Sequence, residues 1–178
     1  MNDTAEAQYA TDGVLSGAGI LAAIKAAKIE YILSVPDITS SKGLLRPIAQ
    51  DPDLKLIRVC KEDECIAIAS GLAHAHKRAL ILIQNTGFYD SINAIRGVGI
   101  EFSRPICMMI GLLERDVGVP LKDSKRYAIR IIEPMLDVLG IERHLIEDDK
   151  GVAAIGPAVD RCYAESKPMA LLLGRRPA

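Results

Sequence analysis

Three consecutive acids, Glu62, Asp63 and Glu64, separate an apolar run at 54–60 (L-K-L-I-R-V-C) from a run of very small residues at 66–75 (I-A-I-A-S-G-L-A-H-A). Carboxylates placed there have two kinds of work open to them. In the first turn of a helix they complement the macrodipole and accept from free backbone N–H groups, each contributing about 0.3–1 kcal/mol. At the end of a strand, in a dry setting, a carboxyl group can instead share a proton with a ligand. The spacing predicts a helix over 63–76. Asp63 and Glu64 are then first-turn residues, and Glu62 lies before the helix, at the strand end, as the candidate for chemistry. Other apolar runs also end in polar clusters: S-V-P-D-I-T at 34–39, Q-N-T-G at 84–87 and G-L-L-E-R at 111–115. Strand ends that gather at one edge of an open α/β sheet are where such folds bind ligands. Loops facing water are polar for a duller reason as well.

The positioning elements follow from periodicity. Short apolar runs alternate with stretches of helical period. Strands are predicted at E-Y-I-L-S-V-P-D, L-K-L-I-R-V-C, A-L-I-L-I-Q, P-I-C-M-M-I-G-L, R-H-L-I-E and P-M-A-L-L-L. Helices are predicted over 14–27, 40–50, 63–76, 89–101, 127–139 and 151–165. Runs such as 79–83 and 106–110 are apolar at every residue, as a strand covered on both faces requires. The fold expected is α/β: a doubly wound, mostly parallel six-stranded sheet with helices on both faces. Pro47, Pro134 and Pro157 fall inside predicted helices and mark kinks or misplaced boundaries. Residues 113–125 form the one long loop. The helix over 63–76 is small and apolar nearly all round, so it is expected to be buried on most faces. Its small side chains would let a partner's backbone approach.

Composition excludes several classes. At 178 residues, the chain reads as one domain, 1–178, with a polar and flexible 1–12. A net charge of -1 gives no electrostatic case for nucleic acid or an anionic membrane. With 49% hydrophobic residues, 4% aromatics and no Trp, the core must be aliphatic. No run has the length of a membrane span, and the polar start has no leader-like apolar core. The four cysteines, Cys60, Cys65, Cys107 and Cys162, have no metal-ligand spacing. Cys60 and Cys107 sit in apolar runs, where a buried thiol acts as a small hydrophobe. Reduced structural thiols and a cytoplasmic location are expected.

Three segments together carry a family likeness. V-P-D followed by L-L-R-P, then K-E-D-E-C-I-A-I-A-S-G-L-A-H-A, then A-L-I-L-I-Q-N-T-G-F-Y-D-S-I-N-A-I resemble the pyrimidine-binding domain of thiamine-diphosphate enzymes. The likeness is nearest to the phosphonopyruvate and sulfopyruvate decarboxylase group and runs over about 33–141. Q-N-T-G-F-Y-D-S-I-N is its most specific part, with Asp90 where the family has Asn. In the family an activating Glu stands nine residues before a Gly of the small-residue helix. Counting back from Gly71 gives Glu62, with Glu64 as the fallback. The resemblance implies that Glu62 hydrogen-bonds the cofactor's aminopyrimidine and promotes the tautomer that accepts the thiazolium proton. The carbanion chemistry belongs to the cofactor. It also implies that Gln84, Asn85, Thr86 and Gly87 lie in a loop against the cofactor, with Phe88 and Tyr89 closing the pocket or packing the next helix. Asp37 would face the substrate or cap the helix that follows it. Arg115 could gather an anionic substrate tail, although the His and Arg of the family's motifs in this region are missing. His74 and His76 line an interface or face water.

These enzymes bind diphosphate and Mg²⁺ through a second domain bearing G-D-G, which this sequence lacks. The resemblance therefore implies an alpha subunit of a 2-oxo acid decarboxylase, with no metal ligands of its own. A separate beta subunit would supply the diphosphate and Mg²⁺ site in an α2β2 or larger assembly. A carboligase subunit related to acetolactate synthase, or a non-catalytic regulatory α/β module, are the alternatives.

Overall fold

Successive side chains of a strand point to opposite faces, so a strand that is apolar throughout needs an apolar layer on each side. The computed structural model, which describes residues 15–178, supplies both layers. The flexible segment expected at 1–12, and Val14 of the first predicted helix, lie outside the described residues. In chain order the elements are α1 (Gly17–Ala26), β1 (Tyr31–Ser34), α2 (Arg46–Gln50), β2 (Lys55–Arg58), α3 (Glu62–His74), β3 (Ala79–Gln84), α4 (Asn85–Asp90) and α5 (Ile92–Ala94). β4 (Cys107–Gly111), α6 (Tyr127–Arg130), α7 (Ile132–Val138), β5 (Glu142–Ile146), α8 (Asp149–Val152), α9 (Ile155–Glu165) and β6 (Met169–Leu173) follow. π-helical turns at Ser41–Leu45 and Ile95–Glu101 lead into α2 and continue from α5.

All six strands are parallel, in the order β2-β1-β3-β4-β6-β5. Leu80, Leu82, Cys107, Met109, Leu171 and Leu173 enter one core with Ile20, Ile24, Ile48, Ile155 and Val159 from α1, α2 and α9. Ile81, Ile83, Met108, Ile110 and Leu172 enter the other with Cys65, Ile66, Ala69, Phe88, Ile132 and Leu136 from α3, α4 and α7. Each fully buried Leu or Ile contributes about 1.5–3 kcal/mol relative to exposure, which is how an aliphatic core makes up for the scarcity of aromatics.

The proline conflicts resolve in one way. The helix expected at 127–139 breaks at Ile131 and restarts at Ile132, which puts Pro134 in a first turn. The helix expected at 151–165 breaks at Ala153–Ala154 and restarts two residues before Pro157. Pro47 is the second residue of α2. N–H groups in a first turn have no helical partner, so proline loses nothing there. Cys60 departs from expectation: it is exposed, whereas Cys65, Cys107 and Cys162 are buried. Among the described residues no helix is long and apolar enough to cross a membrane.

Candidate active site

With every strand parallel, all six carboxyl ends share one edge of the sheet. The chain passes from β1 outward to β2 and returns to β3 on the other side of β1, so strand order reverses between β1 and β3. Ligand crevices open at such reversals. Three groups of residues converge there: the turn after β1, the first turn of α4 directly after β3, and the start of α3.

The three acids are not equivalent. α3 begins at Glu62, one residue earlier than the sequence predicts, so Glu62 belongs to the first turn and not to the strand end. Glu64 Oε2 accepts from the Cys60 backbone N–H at 3.2 Å, which caps the helix start. Asp63 Oδ2 lies 3.0 Å from Lys61 Nζ, and the same ammonium reaches Asp90 Oδ2 at 3.1 Å. The two carboxylates hold Lys61 above its usual range. Glu62, half-buried, has no hydrogen-bond or ion-pair partner among the described residues. Its side chain lies against the backbone of α4: a Cβ added at Gly87 would meet Glu62 Oε1 at 2.5 Å and Cδ at 2.6 Å. Three residues on, the Cys65 thiol is pushed up to about 12 by burial, then by the charges of Glu62 and Glu64.

Asp37 has the capping role. Its Oδ1 accepts from the backbone of Thr39 and from Ser40 N at 2.9 Å, and its Oδ2 accepts from Ser40 Oγ at 2.6 Å. Thr39, 5% exposed, sits beneath this turn and packs on Gly111, where a Cβ would come within 2.9 Å of Thr39 Cβ. Gln84 Nε2 reaches Thr39 Oγ1 at 3.5 Å, and Thr86 Oγ1 donates to Gln84 Oε1 at 2.9 Å. Thr39 and Lys61 are the site residues that motif spacing misses. Lys61 could have been suspected from its acidic neighbours; Thr39 is marked only as the last residue of the S-V-P-D-I-T cluster.

Residues 84–89 are not a loop. α4 starts at Asn85, four residues before the helix expected at 89–101. Asn85 is buried and its Oδ1 accepts from Leu113 N at 3.1 Å, tying α4 to the segment after β4. Phe88 is fully buried in the α3-side core. Tyr89 is half-buried and donates to the Ala128 carbonyl. Burial pushes its hydroxyl up to about 12, against a lowering by Asn85. Both aromatics pack the helix.

Arg115 is brought to the same edge but turned under it. Its side chain is 4% exposed and its Nη2 lies 3.0 Å from Glu147 Oε1, beyond the end of β5. The outer face of α3 is the other departure from expectation: Ala67, Gly71, His74 and Ala75 are exposed, so small side chains line solvent and not the core. His76 is exposed too. A concavity of about 560 Å³ lies between α7 and β5, lined by Glu133, Asp137, Glu142 and Arg143, away from Glu62. Among the described residues no group of three or more His, Cys, Asp or Glu is arranged to hold a metal ion.

No family model matches the chain. It is similar to the sulfopyruvate decarboxylase subunit alpha of Methanocaldococcus jannaschii, with 32% identity over 154 residues, 84% of this chain and 88% of that protein. Proteins with the same description from Methanothermobacter thermautotrophicus and Methanococcus maripaludis are each 30% identical. The matched regions are 95 and 82 residues, 57% and 48% of those proteins.

Proposed function

Because the chain belongs to the family of sulfopyruvate decarboxylase alpha subunits, we propose that it is the half of a 2-oxo acid decarboxylase that presents Glu62 to thiamine diphosphate. The observation that carries this is the division of labour among the three acids. Asp63 and Glu64 are engaged within the fold, while Glu62 is held against Gly87 with its carboxylate unspent. A free carboxyl group at the β1/β3 reversal matches an aminopyrimidine, whose ring nitrogen can share a proton with it. When bound, the cofactor supplies the electron sink that loss of carbon dioxide from a 2-oxo acid needs.

This chain's own part is narrower. Glu62 accepts at a carboxylate oxygen and shares a proton there. Gln84 and Thr86 present polar groups beside it. Asn85 and Gly87 set the backbone behind them, and Tyr89 anchors α4. Asp37 shapes the substrate side of the crevice by fixing the 37–41 turn, with Ile38 exposed at its tip. Arg115 would meet substrate only by giving up Glu147, so its proposed part is to position the segment after β4. On this reading diphosphate and Mg²⁺ fall to a beta subunit. The relatives are described as alpha subunits, and the exposed small-residue face of α3 is the surface proposed for that partner.

Glu62→Gln keeps size and hydrogen bonding but cannot take up a proton. Assayed with the beta subunit, it is expected to lose turnover by about 10²–10⁴-fold while still co-purifying with its partner. Turnover near wild type in this variant would sink the assignment. Calorimetry of the chain alone with thiamine diphosphate and Mg²⁺ is expected to show no tight binding, as a divided site requires.

A further inference from the structure

Gly87 needs explaining on grounds other than backbone freedom. Among the described glycines only Gly118 and Gly140 have positive φ. Gly87 is the third residue of a helix, where alanine is favoured by about 0.8–1.0 kcal/mol. What glycine supplies here is room. The three nearest atoms that an added Cβ would meet all belong to Glu62: Oε1 at 2.5 Å, Cδ at 2.6 Å, and Cγ nearer still. The helical glycines Gly71, Gly97 and Gly156 have nothing within 4 Å of such a Cβ.

The backbone on both sides is braced. Asn85 Oδ1 accepts from Leu113 N, Ser91 Oγ donates to the Gly87 carbonyl at 2.8 Å, and Lys61 spans from Asp63 at the start of α3 to Asp90 at the end of α4. A methyl group at 87 therefore displaces the Glu62 side chain, the one movable part of the contact. We infer that Gly87 is a positioning residue that keeps open the seat of the Glu62 carboxylate. This goes beyond lining a cofactor, and it rests on the reading of Glu62 as the activating acid.

Gly87→Ala in the reconstituted complex should still assemble, with a melting temperature lowered by the cost of displacing the Glu62 side chain. Its kcat should fall by about 100-fold, as displacement of a reacting group by about 1 Å can produce. Gly156→Ala, the same change in open space, should leave activity unchanged. Two further readouts are independent of turnover. In thermal melts of wild type, G87A, E62A and the double variant, the cost of G87A should vanish once the Glu62 side chain is truncated. In titrations with thiamine diphosphate, E62A and E62A/G87A should bind equally. A cost of G87A that persists in the E62A background, or weaker cofactor binding by the double variant than by E62A, overturns the inference. An active E62Q defeats the underlying reading. An inactive E62Q beside a fully active G87A defeats the positioning role alone.

Discussion

Single side chains divide between those whose type and spacing announce their work and those that only packing reveals. The role proposed for Glu62 is of the first kind, although its helix starts one residue earlier than hydrophobic spacing suggests, because a lysine N-cap leaves no sequence signal of a boundary. Gly87 is of the second kind: nothing in Q-N-T-G says that the glycine faces a glutamate from the start of the preceding helix. The cysteines show the same split and can be tested directly. Cys60 is exposed because the strand its apolar run forms ends at Arg58, two residues short of it. Iodoacetamide near pH 8 is expected to label Cys60 and spare Cys65, whose thiol stays protonated, as peptide mapping would show. Cys65 and Tyr89 ordinarily lose their protons near 9.0 and 10.0, and in the fold both are held to about 12. A raised folded pKa leaves stability whole below the unfolded value and removes it as pH climbs toward the folded one. Urea midpoints are therefore expected to fall progressively from about pH 9 toward pH 12. A flat profile across that window would contradict the burial of these two groups.

At the scale of elements, strands were legible and helix ends were not. Runs such as A-L-I-L-I-Q, short and rich in β-branched residues, read as strands covered on both faces, and all six lie where the pattern puts them. Helix boundaries failed where two short helices join end to end without an intervening polar turn, as at Ile131 and at Ala153–Ala154. The prolines were the one visible warning. A closer constraint joins three elements on the α1 side. A Cβ at Gly17 would collide with the Gly43 carbonyl, and one at Gly43 with the Pro177 carbonyl. Residues 177–178 are held there by Ala178 N donating to Leu15 O at 2.9 Å and Gly17 N donating to Ala178 O at 2.9 Å. Three backbones meet with no flexible side chain between them to yield. Gly43→Ala is expected to destabilise the chain by about 1–3 kcal/mol, seen as a lower urea midpoint with unchanged slope. Gly156→Ala should cost nothing by the same measure.

For the molecule as a whole, the sheet is protected and one helix face is not. Both edge strands carry charge, Lys55 and Arg58 on β2 and Glu142 and Arg143 on β5, which discourages strand-to-strand association. The face of α3 around Ala67 and Gly71 has no such guard. Ala67→Arg is expected to leave the melting temperature of the isolated chain unchanged and to weaken assembly with the proposed beta subunit by at least about tenfold, or 1.4 kcal/mol, measured by sedimentation. Unaltered assembly would move the partner surface elsewhere. The joining of residues 177–178 to Leu15 and Gly17 also has a consequence in time. A ribosome delivers α1 before its lock, by about ten seconds or more at 5–20 residues per second. Until then the Gly17–Gly43 seat stands open, and α1 can dock but not be sealed. Chains truncated before residue 177 are therefore expected to be cut by protease near α1, and chains that include residues 177–178 to resist.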